Sequence, residues 1–163
     1  MINKHSNNLY NILLTLSRNI FFYKDVKLKD SFETRIYLMF MHFSIILIIY
    51  KRNNIKFNQK DYDFLFNNIE NNLRELGFGD VTVNKKMKEL NKVLYDILLK
   101  IELKTINNNQ FDLNHDLIVK YFNELDDLNG DYYKALKTYF LNFFNFCFEL
   151  PLENMVRDCL KFK

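Results

Sequence analysis

Glycine, proline, tryptophan, cysteine and histidine are all scarce in this chain. Three glycines and one proline in 163 residues are too few turn formers for an all-β protein, which changes direction every few residues. The two cysteines, Cys147 and Cys159, stand twelve residues apart with no CxxC and no histidine pair nearby. That spacing indicates neither a zinc site nor a disulfide framework and leaves buried free thiols in a reducing compartment. His5, His42 and His115 are scattered, without HExxH or ExxH spacing. The Gly77-Phe78-Gly79 run lacks the preceding strand, the full glycine set and the Lys-Ser/Thr pair of a phosphate-binding loop. No nucleophile stands with a matching base, and carboxylates beside a helix start act as caps more often than as acids or bases. No enzyme, cofactor or metal site is expected.

Charge is also modest. A net charge of +3 with a pI near 8.7 is too small to imply nucleic acid, and no DNA partner is expected. The opening residues, MINKHSNNLYNILLTLSR, show neither a secretory apolar region with a cleavage site nor the arginine content of a transit peptide. They point to a bacterial cytoplasm, with peripheral contact at the inner face of the inner membrane left open.

What the chain has in abundance is apolar and aromatic side chains at helical spacing. It is 48% hydrophobic, with 17 Phe and 10 Tyr, enough for one compact core without a Pro/Gly-rich linker. The fold class expected is all-α, a single globular domain over residues 1–163 with about seven helices around a central apolar helix. Leu9, Ile12, Leu13 and Leu16 mark a first helix to Ser17, with Asn7 or Asn8 near its cap. The aromatic and charged connector 19–30 has no period and is expected to be an ordered loop pinned by Phe22 and Tyr23. Asp30 or Ser31 should cap a long helix reaching about Lys51. Its apolar run, Ile36 to Tyr50, spans about 22 Å against the roughly 30 Å of a bilayer core and carries His42 mid-run, so it reads as a buried central helix.

Tyr62, Leu65, Phe66, Ile69, Leu73 and Leu76 repeat with a helical period. Glu70 and Arg74 lie one turn apart on that helix. Gly77 should end it, because glycine adopts positive φ at almost no cost and most often sits just past a helix C-terminus. A new helix should begin at Asp80, Thr82 or Asn84 and run to about Lys104, forming a hairpin with the one before. Asn107 to Gln110 reads as a loop, followed by a helix carrying Leu113, Leu117, Ile118, Tyr121, Phe122 and Leu125. Gly130 separates this from Tyr132–Phe148, which has more aromatic surface than one helix stripe needs. Pro151 suits the first position of a last helix.

Two clusters are candidates for binding. Lys85, Lys86, Lys88 and Lys92 charge the outer face of the helix after the glycines, either as a solvated face or as a small docking patch for an anionic partner, a ribosome, RNA or lipid headgroups. Met39, Met41 and His42 crowd one turn. They read as core with a hydrogen-bonded histidine, the alternative being a haem-binding protein that uses His42.

Two blocks of residues resemble the ubiquinol–cytochrome c chaperone family, helical assembly factors for the cytochrome b subunit of ubiquinol–cytochrome c reductase in mitochondria and related bacteria. The first block is Arg18, Phe22-Tyr23, Asp30-Ser31, Arg35 and His42. The second is Asp63-Phe64, then Leu73-Arg74-Glu75-Leu76-Gly77-Phe78-Gly79-Asp80 and Val83-Asn84-Lys85-Lys86-Met87. The chain departs from the family pattern at Asn68-Ile69-Glu70, at Asn84 in place of Gly, and at Tyr95-Asp96-Ile97 in place of Tyr-Gly-Arg. The resemblance is strongest over residues 9–104. It implies a chaperone with nascent cytochrome b as client, and a second assembly factor and the ribosome or a membrane surface as further partners. It also marks Arg18, Tyr23, Asp30, Arg35, His42, Arg74, Glu75, Gly77, Gly79, Asp80, Lys85 and Lys86 as a structural or partner-binding signature.

Overall fold

The computed structural model of the chain describes residues 8–108, 111–125 and 130–163. The architecture is all-α, as the periodicity predicts. Eight α-helical segments are described: α1 (Asn8–Ser17), α2 (Phe21–Lys24), α3 (Phe32–Arg52), α4 (Gln59–Glu75), α5 (Asp80–Asn108), α6 (His115–Tyr121), α7 (Gly130–Glu149) and α8 (Leu152–Asp158). Without the single turn α2 the count is the seven expected. Short 3-10 turns, Asn123–Leu125 and Cys159–Lys161, follow α6 and α8.

Helix α3 is the centre. It packs against α1, α5, α7 and α8, and its residues from Leu38 to Ile46 are all buried. It is long and apolar enough to cross a membrane by length and composition, but it serves as the core helix. A helix apolar on every side has to be covered on every side, and the four neighbours do this. The cap is Ser31, not Asp30: the Thr34 backbone N–H donates to Ser31 Oγ at 3.2 Å, satisfying one of the orphan donors of a helix start.

The glycine-rich stretch builds as its sequence predicts. Helix α4 ends at Glu75, with Leu76 half in the helix and Gly77 at φ +94°. The Gly77 N–H donates to Arg74 O at 2.9 Å and the Phe78 N–H to Leu73 O at 3.3 Å, the two crossed bonds of a Schellman helix end. Helix α5 starts at Asp80, where the Val83 N–H donates back to Gly79 O at 2.9 Å. The two helices then pack on each other as a hairpin, and α5 also packs along α3.

Five local expectations need correction. The connector 19–30 contains a helical turn, α2, because an N–H from Phe21 to the Asn19 side chain starts it and burial of Phe22 anchors it. Helix α5 continues through Asn107 and Asn108, since the chain keeps supplying intrahelical bonds where composition alone reads as loop; residues 109 and 110 lie outside the described residues. The helix expected from Leu113 to Leu125 is confined to α6, with Asn114 capping it through the Asp116 N–H at 3.0 Å. Gly130 is the first residue of α7 rather than a spacer, and Pro151 sits one position earlier than expected, just ahead of α8. Asn7 and His5 lie outside the described residues.

The aromatic surplus of α7 turns inward. Tyr139, Phe140, Phe143 and Phe144 are buried, while Leu141 and Phe148 stay exposed. Its target is His42, fully buried on α3 and ringed by Phe22, Tyr139, Phe140 and Phe143 with centroids 5.9, 5.5, 5.0 and 4.8 Å away. Cys147 and Cys159 are buried free thiols, and burial raises both above their ordinary range.

Candidate functional site: a charged-edge groove between α1, α3 and α4

Three residues of the signature, far apart in sequence, meet at one concavity. Arg18 follows the last turn of α1, Arg35 lies on the first turn of α3, and Glu75 is the last residue of α4. They line a cavity of about 550 Å³ together with Leu14, Phe32, Ile36, Met39 and Leu76. Apolar side chains thus make most of its surface, and charges of both signs edge it. Tyr10 and Asn72 also line it, and the Asn72 side-chain amide donates to the Tyr10 hydroxyl, tying α4 to α1.

Tyr23 and Asp30 support the rim. Arg35 Nε donates to Asp30 Oδ1 at 2.8 Å, which aims the guanidinium. The Tyr23 hydroxyl donates to Ser17 O at 2.7 Å and so locks α2 onto the end of α1. Burial, with the Asp30 carboxylate added, pushes the Tyr23 phenol up, against the pull of Arg35 and Arg18. Arg18, Tyr23, Asp30 and Arg35 of the first sequence block therefore fold into one polar corner, while its Phe22 and His42 lie in the core. Arg18 and Glu75 form no ion pair among the described residues.

The remaining signature residues go elsewhere. Arg74 bridges Glu70, at 3.1 Å, and Asp80, clamping the end of α4 to the start of α5 across the glycine turn. Glu75 takes no part in that bridge: one residue along a helix turns the side chain by about 100°, toward the groove. Lys85 is exposed, and Lys86 Nζ lies 4.9 Å from the Phe78 ring centre, over the turn. Neither reaches the groove.

His42 is also separate from it. The Leu38 carbonyl accepts from Nδ1 at 2.6 Å, so Nε2 is the acceptor for the Tyr139 hydroxyl at 2.8 Å. Burial lowers its pKa to about 4, against a smaller opposing effect of the Leu38 bond. Both nitrogens are engaged, so His42 has no free position for a haem iron. Among the described residues no group of three or more His, Cys, Asp or Glu could hold a metal ion.

One cluster escapes the sequence reading. Asp96, where the family pattern has Gly, accepts from Lys120 at 2.7 Å and from the Tyr121 hydroxyl, and pairs with Lys100 at 3.1 Å. Burial raises its pKa, but the bonds from Lys120, Tyr121 and Lys100 outweigh that and hold it down at about 2. It ties α6 to α5. The only sequence signal is the departure at Tyr95-Asp96-Ile97.

An all-α fold with an apolar-floored, charge-edged groove has the architecture of a protein-binding domain. The family model described as ubiquinol–cytochrome C chaperone matches residues 24–139. The chain belongs to this family, which gives it a chaperone role in respiratory complex assembly, with a client protein. The match starts after Arg18 and Tyr23 and runs on through α6 into α7, to Tyr139. No curated protein and no solved structure matches the chain.

Proposed function

We propose that this chaperone binds newly made cytochrome b and promotes assembly of ubiquinol–cytochrome c reductase, with the groove between α1, α3 and α4 as the client site. The observation that carries the reading is the convergence of Arg18, Arg35 and Glu75, drawn from both blocks of the resemblance, on one groove with an apolar floor. Such a surface suits a short helical segment of a membrane protein: apolar residues fill the floor, and a flanking charge pairs with Arg18 or Glu75. The work is binding and release, and the reading assigns no reaction and no cofactor.

The test has two arms. Deleting the gene should lower the haem b spectrum of membranes and the level of ubiquinol–cytochrome c reductase while leaving other respiratory complexes intact; an unchanged haem b spectrum sinks the reading. A photo-crosslinking residue at Leu76 should capture cytochrome b in cells, and one at Leu160, far along the chain and outside the groove, should not. Equal capture from both positions would place the client elsewhere.

A further inference from the structure

Helix α5 keeps a face that the fold does not cover. At about 100° per residue, Val81, Lys85, Lys88 and Lys92 line up along its first half, and Tyr95, Leu99 and Leu103 continue the same line in its second half, all within about 80° of arc. Val81 is 85% exposed, Tyr95 61%, Leu99 57% and Leu103 50%. The other side of the helix buries Val83, Leu90, Leu94, Ile97 and Ile101 in the core. The stripe is therefore an outer face, not a core face that the neighbours missed.

Its charge is unbalanced. Lys85, Lys88 and Lys92 make no ion pair among the described residues. The nearby carboxylates are already engaged: Asp96 by Lys100 and Lys120, Glu102 by Lys51. Of the other acids of α5, Asp80 is engaged by Arg74, and Glu89, about 40° outside the stripe, is exposed without an ion pair among the described residues. An exposed line with positive charge in one half and aliphatic and tyrosine side chains in the other suits a helix lying on an anionic membrane surface. The leucines enter the headgroup boundary, tyrosine sits at its level, and lysine stems lie along the apolar surface with their ammonium groups on phosphates. An RNA partner would leave Leu99 and Leu103 unused, and the stripe has no arginine and a single ring for stacking. A second copy of the chain would bring the same lysines and no acidic counterpart.

We propose that this face of α5 docks the protein on an anionic phospholipid bilayer, with the helix axis parallel to the membrane plane. It uses none of the groove residues, so it stands or falls apart from the cytochrome b reading.

The chain has no tryptophan, so Leu99→Trp supplies a single indole in the stripe. Full-length protein carrying it is mixed with phosphatidylcholine vesicles, with or without roughly one third phosphatidylglycerol, the anionic lipid that the lysines would recognise. Emission should move to shorter wavelength, and the protein should co-sediment, with the anionic vesicles alone. Replacing Lys85, Lys88 and Lys92 by Ala should cut partitioning at least about tenfold, while replacing all three by Arg should retain it. These positions are exposed, and thermal unfolding by circular dichroism verifies that each variant is folded. Equal binding to neutral vesicles, undiminished binding of the alanine variant, or sedimentation without an emission shift would overturn the proposal. So would ribosome co-sedimentation in place of vesicle binding, or a dimer in solution that Leu99→Ser with Leu103→Ser abolishes.

Discussion

His42 on α3 and Tyr139 on α7, ninety-seven residues apart, share one buried hydrogen bond in which the tyrosine hydroxyl donates to the imidazole. The bond direction follows from the other side of the ring, where the Leu38 carbonyl can only accept and so keeps the proton on Nδ1. The pair joins the central helix to the aromatic helix by something more selective than apolar contact.

Tyr139→Phe keeps the ring and removes the donor, leaving Nε2 buried without a partner. A loss of about 1–3 kcal/mol in urea unfolding is expected. A variant as stable as the parent would show that the hydroxyl bond contributes nothing net.

His42 also sets a pH dependence. Its folded pKa of about 4 lies below the ordinary 6.5, so the unfolded chain takes up a proton first as pH falls. Stability from this group is complete above about pH 6.5 and is lost as pH drops through that value toward 4, by about 3 kcal/mol in all. Unfolding curves collected between pH 7.5 and roughly pH 4 should show this slope, and His42→Gln should flatten it. An identical slope in the variant would assign the dependence to other groups.

The two glycines of the turn should respond differently to alanine. Gly77 has φ +94° and a Cβ there would meet nothing within 4 Å, so the expected cost of Gly77→Ala, about 1 kcal/mol, is conformational. Gly79 has neither positive φ nor a close neighbour, and Gly79→Ala should be nearly neutral. Equal costs at the two positions would contradict the Schellman geometry.

Arg74 lies on the surface with both its carboxylate partners, an arrangement that salt screens. Arg74→Ala should leave the melting temperature almost unchanged at moderate salt and should leave crosslinking from Leu76 intact, because Arg74 faces away from the groove. Loss of capture in a fully stable variant would make Arg74 a docking residue.

Much of the local structure is legible in the amino-acid order. Apolar spacing gives the long helices, Ser31 and Gly77 mark a start and a stop, and the run from Ile36 to Tyr50, apolar but for His42 and Ser44, announces a helix buried on all sides. These features depend on forces that act within a turn or two: intrahelical bonds, caps and the φ that a residue tolerates. The family blocks are legible too, since they are runs of residue types. Even locally, composition misleads where two answers compete, as at Asn107 and Asn108, polar enough for a loop and held in α5.

Which residues meet is a different matter. Periodicity says that a face of α7 is buried but not that its rings surround His42, and it puts Glu75 beside Arg74 in sequence while a helix turn sends one to the groove and the other to Asp80. Arg18, Arg35 and Glu75 converge because α1 packs on both α3 and α4, and Asp96 becomes a hub because Lys120 and Tyr121 of α6 reach α5 at that point. Helix identity was thus written in the sequence by short-range rules, whereas the groove, the His42–Tyr139 bond and the Asp96 cluster were decided by the angles at which whole helices pack, and those depend on every side chain in the interface at once.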